Sequence, residues 1–257
     1  MSEIYTSLAA FYDKFMSDVP YGEWADYIQK TLEKYGIKEG LVCDLGCGSG
    51  TVTTMLSDRG FDMTGIDASA EMLDQAMEKR GDRNILYLQQ DIREFELYGT
   101  MRAIISVCDT LNYITDKREL KTVFRTAANY LDPGGVFLFD LHTPYYYEKI
   151  LGARTFAEAD EDCAYIWENR YERRKQINEY CINLFVRSGD RDPIYIKQTE
   201  IHIERAYSRE WIEKELKSAG LELLSVTGGY SDRRPTGKSE RLVYAARLPV
   251  NTQKRTG

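Results

Sequence analysis

The chain has 257 residues, 43% of them hydrophobic, and a formal charge of −7. That is enough apolar material for one large domain, or a domain with a subdomain, and the acidic balance argues against a standing affinity for nucleic acid or anionic membranes. No apolar run approaches the ~18 residues of a membrane span, and the N-terminal MSEIYTSLAAFYDKF lacks a basic region followed by an apolar stretch, so a cytoplasmic protein is expected.

Residues 3–35 read as helical, because Ile4, Leu8, Phe11, Tyr12 and Phe15 keep a three-to-four spacing that Trp24, Ile28, Leu32 and Tyr35 continue after Pro20. The break at Ser17 to Gly22 sets Tyr12 and Tyr21 on either side of a turn. LVCDLGCGSG, Leu41 to Gly50, then reads as a buried strand running into a glycine turn, with a helix following from Thr51. Glycines there admit positive φ and close approach of a ligand to the backbone, and a helix N-terminus presents free N–H groups.

Strands and helices alternate from that point. A helix over Thr51 to Asp58 precedes a strand over Phe61 to Asp67, and Ser69 caps a helix whose Met72, Leu73 and Met77 face inward. Further strands are predicted at Ile85 to Gln89, Ala103 to Val107 and Val136 to Asp140, with a helix from Thr115-Asp116 to Tyr130 before the last. Apolar strands separated by helices imply a parallel sheet covered on both faces, with the ligand at the C-terminal strand edge beside the first strand.

After Pro144 the texture becomes β-rich and tyrosine-rich. Tyr165-Ile166-Trp167, Ile177 to Val186 and Ile194 to Ile203 predict a three-stranded antiparallel meander. Ser208 caps a helix that Gly220 ends, and Leu221 to Val226 and Leu242 to Ala246 complete the sheet. The fold class expected is α/β, a Rossmann-like doubly wound, seven-stranded, mostly parallel sheet with an inserted three-stranded antiparallel meander. The units are a helical lid over residues 1–40, a main domain over 41–145 and 206–248, and a β insertion over 146–205, serving as substrate cap or dimer contact.

Two readings of the glycine turn compete. A dinucleotide fingerprint needs a third small residue where Thr51 stands. The pattern D-x-G-x-G-x-G is filled by Asp44, Gly46, Gly48 and Gly50, and Asp67, Asp91 and Pro133-Gly134-Gly135 follow in order. Over residues 40–142 this resembles the class I methyltransferases that use S-adenosyl-L-methionine. Phe11-Tyr12-Asp13 with Phe15, the β insertion and Ala219-Gly220-Leu221 are further similar to small-molecule N-methyltransferases of the amino-sugar and glycine types. The segment Asp109 to Tyr113 and the insert itself depart from those families, so the methyl acceptor does not carry over.

The resemblance implies a cofactor site at Asp44, Gly46, Cys47 and Gly48, with Asp67 and Ala68 at the ribose, Asp91, Ile92 and Met72 at the adenine, and Cys108 with the Gly46 backbone at the amino-acid end. Tyr12 and Tyr21 would close over it, Tyr12 near the reacting methyl. An amine acceptor needs only to arrive neutral, whereas a hydroxyl or carbon acid needs a base; His142, two residues past the predicted fifth strand, is the candidate. His202 reads as sheet surface. Tyr145, Tyr146 and Tyr147 either line an acceptor pocket or pack the insert, and Arg233, Arg234, Lys238 and Arg241 read first as a solvated loop. Five cysteines and two histidines, with Cys43 and Cys47 remote from both histidines, exclude a disulfide scaffold and a zinc site; no metal is expected. The expected function is methyl transfer to a small molecule, at an amine nitrogen before oxygen or carbon. A non-catalytic S-adenosylmethionine-binding module and, less favoured, an NAD-dependent oxidoreductase are the rivals. A homodimer through the exposed insert edge is a further expectation.

Overall fold

In a computed structural model the chain is described for residues 19–159, 161, 163–188 and 194–250. The expected lid residues Phe11, Tyr12, Asp13 and Phe15, and residues 189–193 and 251–257, lie outside the described residues. Helix α1 (Tyr21–Lys34) buries Ala25, Ile28 and Leu32, the face that the three-to-four spacing marks. Strand β1 (Gly40–Leu45) follows, then α2 (Thr51–Asp58), β2 (Phe61–Asp67), α3 (Ala70–Arg80), β3 (Leu86–Gln89) and β4 (Met101–Ser106). A 3₁₀ turn (Thr110–Tyr113), α4 (Lys117–Tyr130) and β5 (Leu131–His142) complete the first half.

The seven-stranded sheet has the order β10-β11-β5-β4-β1-β2-β3. Strands β1, β2, β3, β4 and β5 pair in parallel, and β11 (Arg241–Arg247) runs antiparallel to both β5 and β10 (Glu222–Gly228). Central strands are apolar on both sides because both faces are covered. One layer packs Leu120, Val123 and Phe124 of α4 and Ile212 of α5 (Arg209–Ser218) against Phe137 and Phe139. The other packs Ile28 and Leu32 of α1 and Val52 and Leu56 of α2 against Val42 and Ile105. Strand order reverses at β1, which has β2 on one side and β4 on the other, so the crevice lies at the C-terminal ends of β1 and β4.

Three local expectations are corrected. Strand β5 extends beyond Val136 to Asp140 at both ends: Leu131 pairs with Met101, and a register shift follows before Ala103. Gly135 sits at that irregularity, where a Cβ would stand 2.9 Å from the Asp132 carbonyl. Met77 does not face inward; it is exposed, beyond the apolar stripe of Leu73 and Ala76. The inserted sheet has four strands rather than three, in the order β6-β7-β8-β9. Strand β6 (Thr155–Ala159) has Phe156 as its one large apolar residue and a mostly exposed edge position, which leaves almost no alternating pattern to read. Strands β7 (Cys163–Glu172), β8 (Ile177–Ser188) and β9 (Ile194–Arg205) form the meander. A π-helical turn (Tyr146–Leu151) leads into the insert, and Tyr147, Leu151, Tyr180 and Ala206 form its separate apolar seam. Ile194, Ile201 and Ile203 of edge strand β9 are exposed. Among the described residues no helix is long and apolar enough to cross a membrane.

Candidate active site

The glycine turn is built by β1 and β2 together. The N–H groups of Gly46 and Cys47 both donate to the Ile66 carbonyl, at 2.7 and 3.0 Å, so β2 finishes the turn that β1 begins. The Gly46 N–H is therefore engaged within the turn, and the Gly46 carbonyl takes only a long 3.5 Å bond from the Thr110 hydroxyl. Gly46 has φ +74°, and a Cβ there would run into the Thr110 side chain. Gly46→Ala is accordingly expected to destabilise the fold by about 1–3 kcal/mol, measurable by urea denaturation. At Gly48, φ +53°, a Cβ would meet open space, and this is the open side of the cradle. Gly50 and Gly65 instead make room for the ring of Tyr87 on β3, a packing role that the sequence did not disclose.

Asp67 ends β2 where expected. Its carboxylate accepts the Gly48 N–H at 2.8 Å and the Ser69 N–H at 2.9 Å, tying the turn to the start of α3. Asp44 is buried at 1% exposure and accepts the Thr53 hydroxyl at 2.7 Å, while its other oxygen has no partner. Burial, opposed by Thr53 and reinforced by Asp67, pushes the Asp44 carboxyl up to about 7. A site holding two adjacent carboxylates and an unsatisfied buried acceptor suits a ligand with cationic groups and repels a pyrophosphate. These residues fit an adenosyl sulfonium carrying an ammonium group.

The remaining predicted contacts are distributed as follows. Ala68 is exposed, and its carbonyl accepts from Gln89 at 3.3 Å. Met72 is half-buried, with its N–H on the Ser69 cap at 3.1 Å. Asp91 stands past the end of β3, but its carboxylate accepts the backbone and guanidinium N–H groups of Arg93, each at 2.9 Å, which hold its pKa below the ordinary value. Ile92 packs against the α4-side core. Tyr21 meets Trp24 edge-on at 5.7 Å, and Trp24 stacks on Tyr230 at 4.4 Å. Cys108 and Asp109 follow β4 with φ of 59° and 54°. Two successive non-glycine residues in the left-handed region store strain that the surroundings must hold, a common trait of ligand-gripping loops. Burial pushes the Cys43, Cys47 and Cys108 thiols up, which keeps them protonated.

The Asp109 N–H donates to Asp140 at 3.2 Å, and its carboxylate accepts from Arg241 Nη2 at 2.9 Å. His142 is the buried last residue of β5, not a loop residue beyond it, and it pairs directly with Arg241 of β11. Arg241 Nη2 also donates to His142 Nε2 at 2.6 Å, its Nη1 pairs with buried Asp140, and its guanidinium lies 5.1 Å over the Trp24 ring. The predicted basic loop thus divides: Arg233, Arg234 and Lys238 are exposed, and Arg241 is a partly buried organiser of the site. Tyr146 stacks on the His142 ring at 3.9 Å.

The insert closes the site from the other side. Glu204 of β9 is 1% exposed and accepts the hydroxyls of Tyr147 at 2.5 Å and Tyr180 at 2.9 Å. Donor atoms of Asp109, His142 and Glu204 lie within 4.8 Å of one another. His202 lies on the surface of β9, where its ring takes part in hydrogen bonds with the Tyr113 hydroxyl at 3.3 Å and Glu200 at 3.1 Å. Glu204, Asp140 and Tyr180 escaped the sequence reading, whereas Tyr147 was singled out as a pocket or packing tyrosine. The one signal was an acidic residue closing an otherwise alternating apolar strand.

Comparison with known proteins agrees with this geometry. Residues 42–135 match the family model described as a methyltransferase domain. YqeM of Bacillus subtilis (strain 168), assigned to the methyltransferases, is 35% identical over 245 residues, covering 95% of this chain and 96% of that one. A crystal structure of an S-adenosylmethionine-dependent methyltransferase from Clostridium acetobutylicum superposes with TM-score 0.86 at 32% identity, covering 96% of this chain and 99% of its own. The dTDP-3-amino-3,4,6-trideoxy-alpha-D-glucopyranose N,N-dimethyltransferase of Streptomyces venezuelae is 23% identical over 202 residues, 74% of this chain and 78% of that enzyme. With the seven-stranded sheet, the glycine turn and Asp67 in place, the chain belongs to the S-adenosylmethionine-dependent methyltransferases and is an enzyme of that family.

Proposed function

We propose that the acceptor is a small-molecule amine, methylated at nitrogen. The observation that carries this reading is the walled-in group of two carboxylates, Asp109 and Glu204, with His142 and the Tyr146, Tyr147 and Tyr180 rings, between the sheet edge and the insert. Carboxylates and aromatic faces are the chemistry that selects an ammonium group from water. The amino-sugar N,N-dimethyltransferase among the relatives supports the same class of acceptor.

In this reading S-adenosylmethionine supplies an electrophilic methyl group on a sulfonium. Asp67 accepts the ribose hydroxyls, Asp91 with Ile92 and Met72 borders the adenine, and Asp44, the Gly46 carbonyl and the Cys108 loop border the amino-acid end. Tyr21, at the start of α1, covers it. The protein contributes alignment of the attacking nitrogen and exclusion of water, which supply most of the rate in a displacement of this kind. Burial lowers the His142 pKa, against the opposing pull of Asp109 and Glu240, so the imidazole is neutral at pH 7. The test is turnover with labelled S-adenosylmethionine against panels of primary and secondary amines, phenols and carbon acids. Label entering amines is expected; label entering only phenols or carbon acids would refute nitrogen, and binding without any turnover would favour the binding-module rival.

A further inference from the structure

His142 is the residue that sequence position nominates as base, and its hydrogen bonds remove it from that role. A guanidinium only donates, so Nε2, 2.6 Å from Arg241 Nη2, must be the accepting nitrogen and Nδ1 carries the hydrogen. Nδ1 is buried without a hydrogen-bond partner, 3.8 Å from Asp109 Oδ1. Taking a further proton would put an imidazolium N–H against a guanidinium N–H in a buried space. A metal ion on Nδ1 meets the same obstacle, because the hydrogen would move to Nε2 and face the Arg241 donor. Asp109 is a poor base as well: burial opposes its ionisation, but its ion pair and hydrogen bond with Arg241 hold its pKa below the ordinary value.

We propose that Glu204, carried into the site by the inserted sheet, is the catalytic base that takes the proton from the ammonium form of the acceptor. This inference rests on the amine reading above. The nitrogen–hydrogen bond breaks with its pair left on nitrogen, and the proton goes to a Glu204 oxygen. That lone pair then forms the bond to the methyl carbon as the carbon–sulfur bond breaks, its pair leaving on sulfur. The groups that face Glu204 are Tyr147 from the π turn, Tyr180 from β8, Tyr113 from the 3₁₀ turn, Asp109 from the loop after β4 and the neutral His142 from the end of β5. Burial first, and Asp109 second, raise the Glu204 pKa above the usual carboxylate range, while the tyrosine hydroxyls lower it. Raised to about 8, that pKa lies close to the operating pH, where a base is most effective.

Glu204→Gln is the direct test, run with the amine that the panel shows to be methylated. The expected result is a fall in kcat of about a hundredfold at pH 7, with S-adenosylhomocysteine affinity unchanged. Activity should recover at alkaline pH, where the amine arrives already neutral. Tyr147→Phe provides a second reading: loss of a hydroxyl that stabilises the carboxylate should move the acid limb of the wild-type profile to higher pH. Unchanged kcat in Glu204→Gln, or an acid limb indifferent to Tyr147→Phe, overturns the role of Glu204 while leaving amine methylation standing. A wild-type enzyme inert toward every amine overturns both.

Discussion

Replacing Arg241 with leucine is expected to destabilise the protein by about 3–5 kcal/mol, because removal of one partner strands buried charge. Asp140 is fully buried and pairs with Arg241 Nη1, and Asp109 and His142 share Nη2. Loss of the guanidinium also releases the strained Cys108–Asp109 backbone, one of whose anchors is the Asp109 carboxylate. A fall in Tm on the order of 10 °C should accompany the substitution. The pH dependence has a definite sign. The Asp109 pKa is depressed in the folded state, so its contribution is fully present above the unfolded value of about 3.9 and is lost as pH falls through the folded value. The gap between wild type and Arg241→Leu should therefore narrow as the solution is taken below about pH 4. A gap of the same size at pH 7 and at pH 3, followed by thermal or urea denaturation, would show that the lost packing over Trp24 dominates instead.

Asp67→Ala is expected to weaken S-adenosylhomocysteine binding by about 1.5–3 kcal/mol, roughly ten- to a hundredfold. The carboxylate holds the Gly48 and Ser69 N–H groups, so its removal loosens the turn as well as removing the acceptor proposed for the ribose. The ribose takes no part in bond making, and the loss should appear in the Michaelis constant for S-adenosylmethionine with little change in kcat at saturation. Calorimetric titration decides: unchanged affinity would place the ribose elsewhere. NAD should not bind, since Thr51 stands where a dinucleotide turn needs a third small residue.

The alternation of strands and helices was legible because central parallel strands are continuous apolar runs and their helices carry one buried stripe. The cradle was legible for a similar reason, since the glycine turn and Asp67 lie close in sequence and their spacing is fixed by one strand–helix–strand unit. The acceptor side was not. Arg241 sits in a basic stretch with Arg233, Arg234 and Lys238, and only the antiparallel pairing of β11 with β5 sets it beside His142. Glu204 reaches the same place on a different sheet, after a long excursion through the insert. Residues brought together by sheet pairing and domain insertion leave no local pattern. His142 was found for its position, but its tautomer was not legible, because that depends on the neighbour that hydrogen-bonds the ring.

The most direct test of methyl transfer to an amine is the carbon NMR spectrum of the product formed from S-adenosylmethionine carrying a ¹³C-labelled methyl group. Label bonded to nitrogen of a small-molecule amine is the predicted result. Label bonded to oxygen or carbon, or no labelled product while S-adenosylhomocysteine still binds, would contradict it.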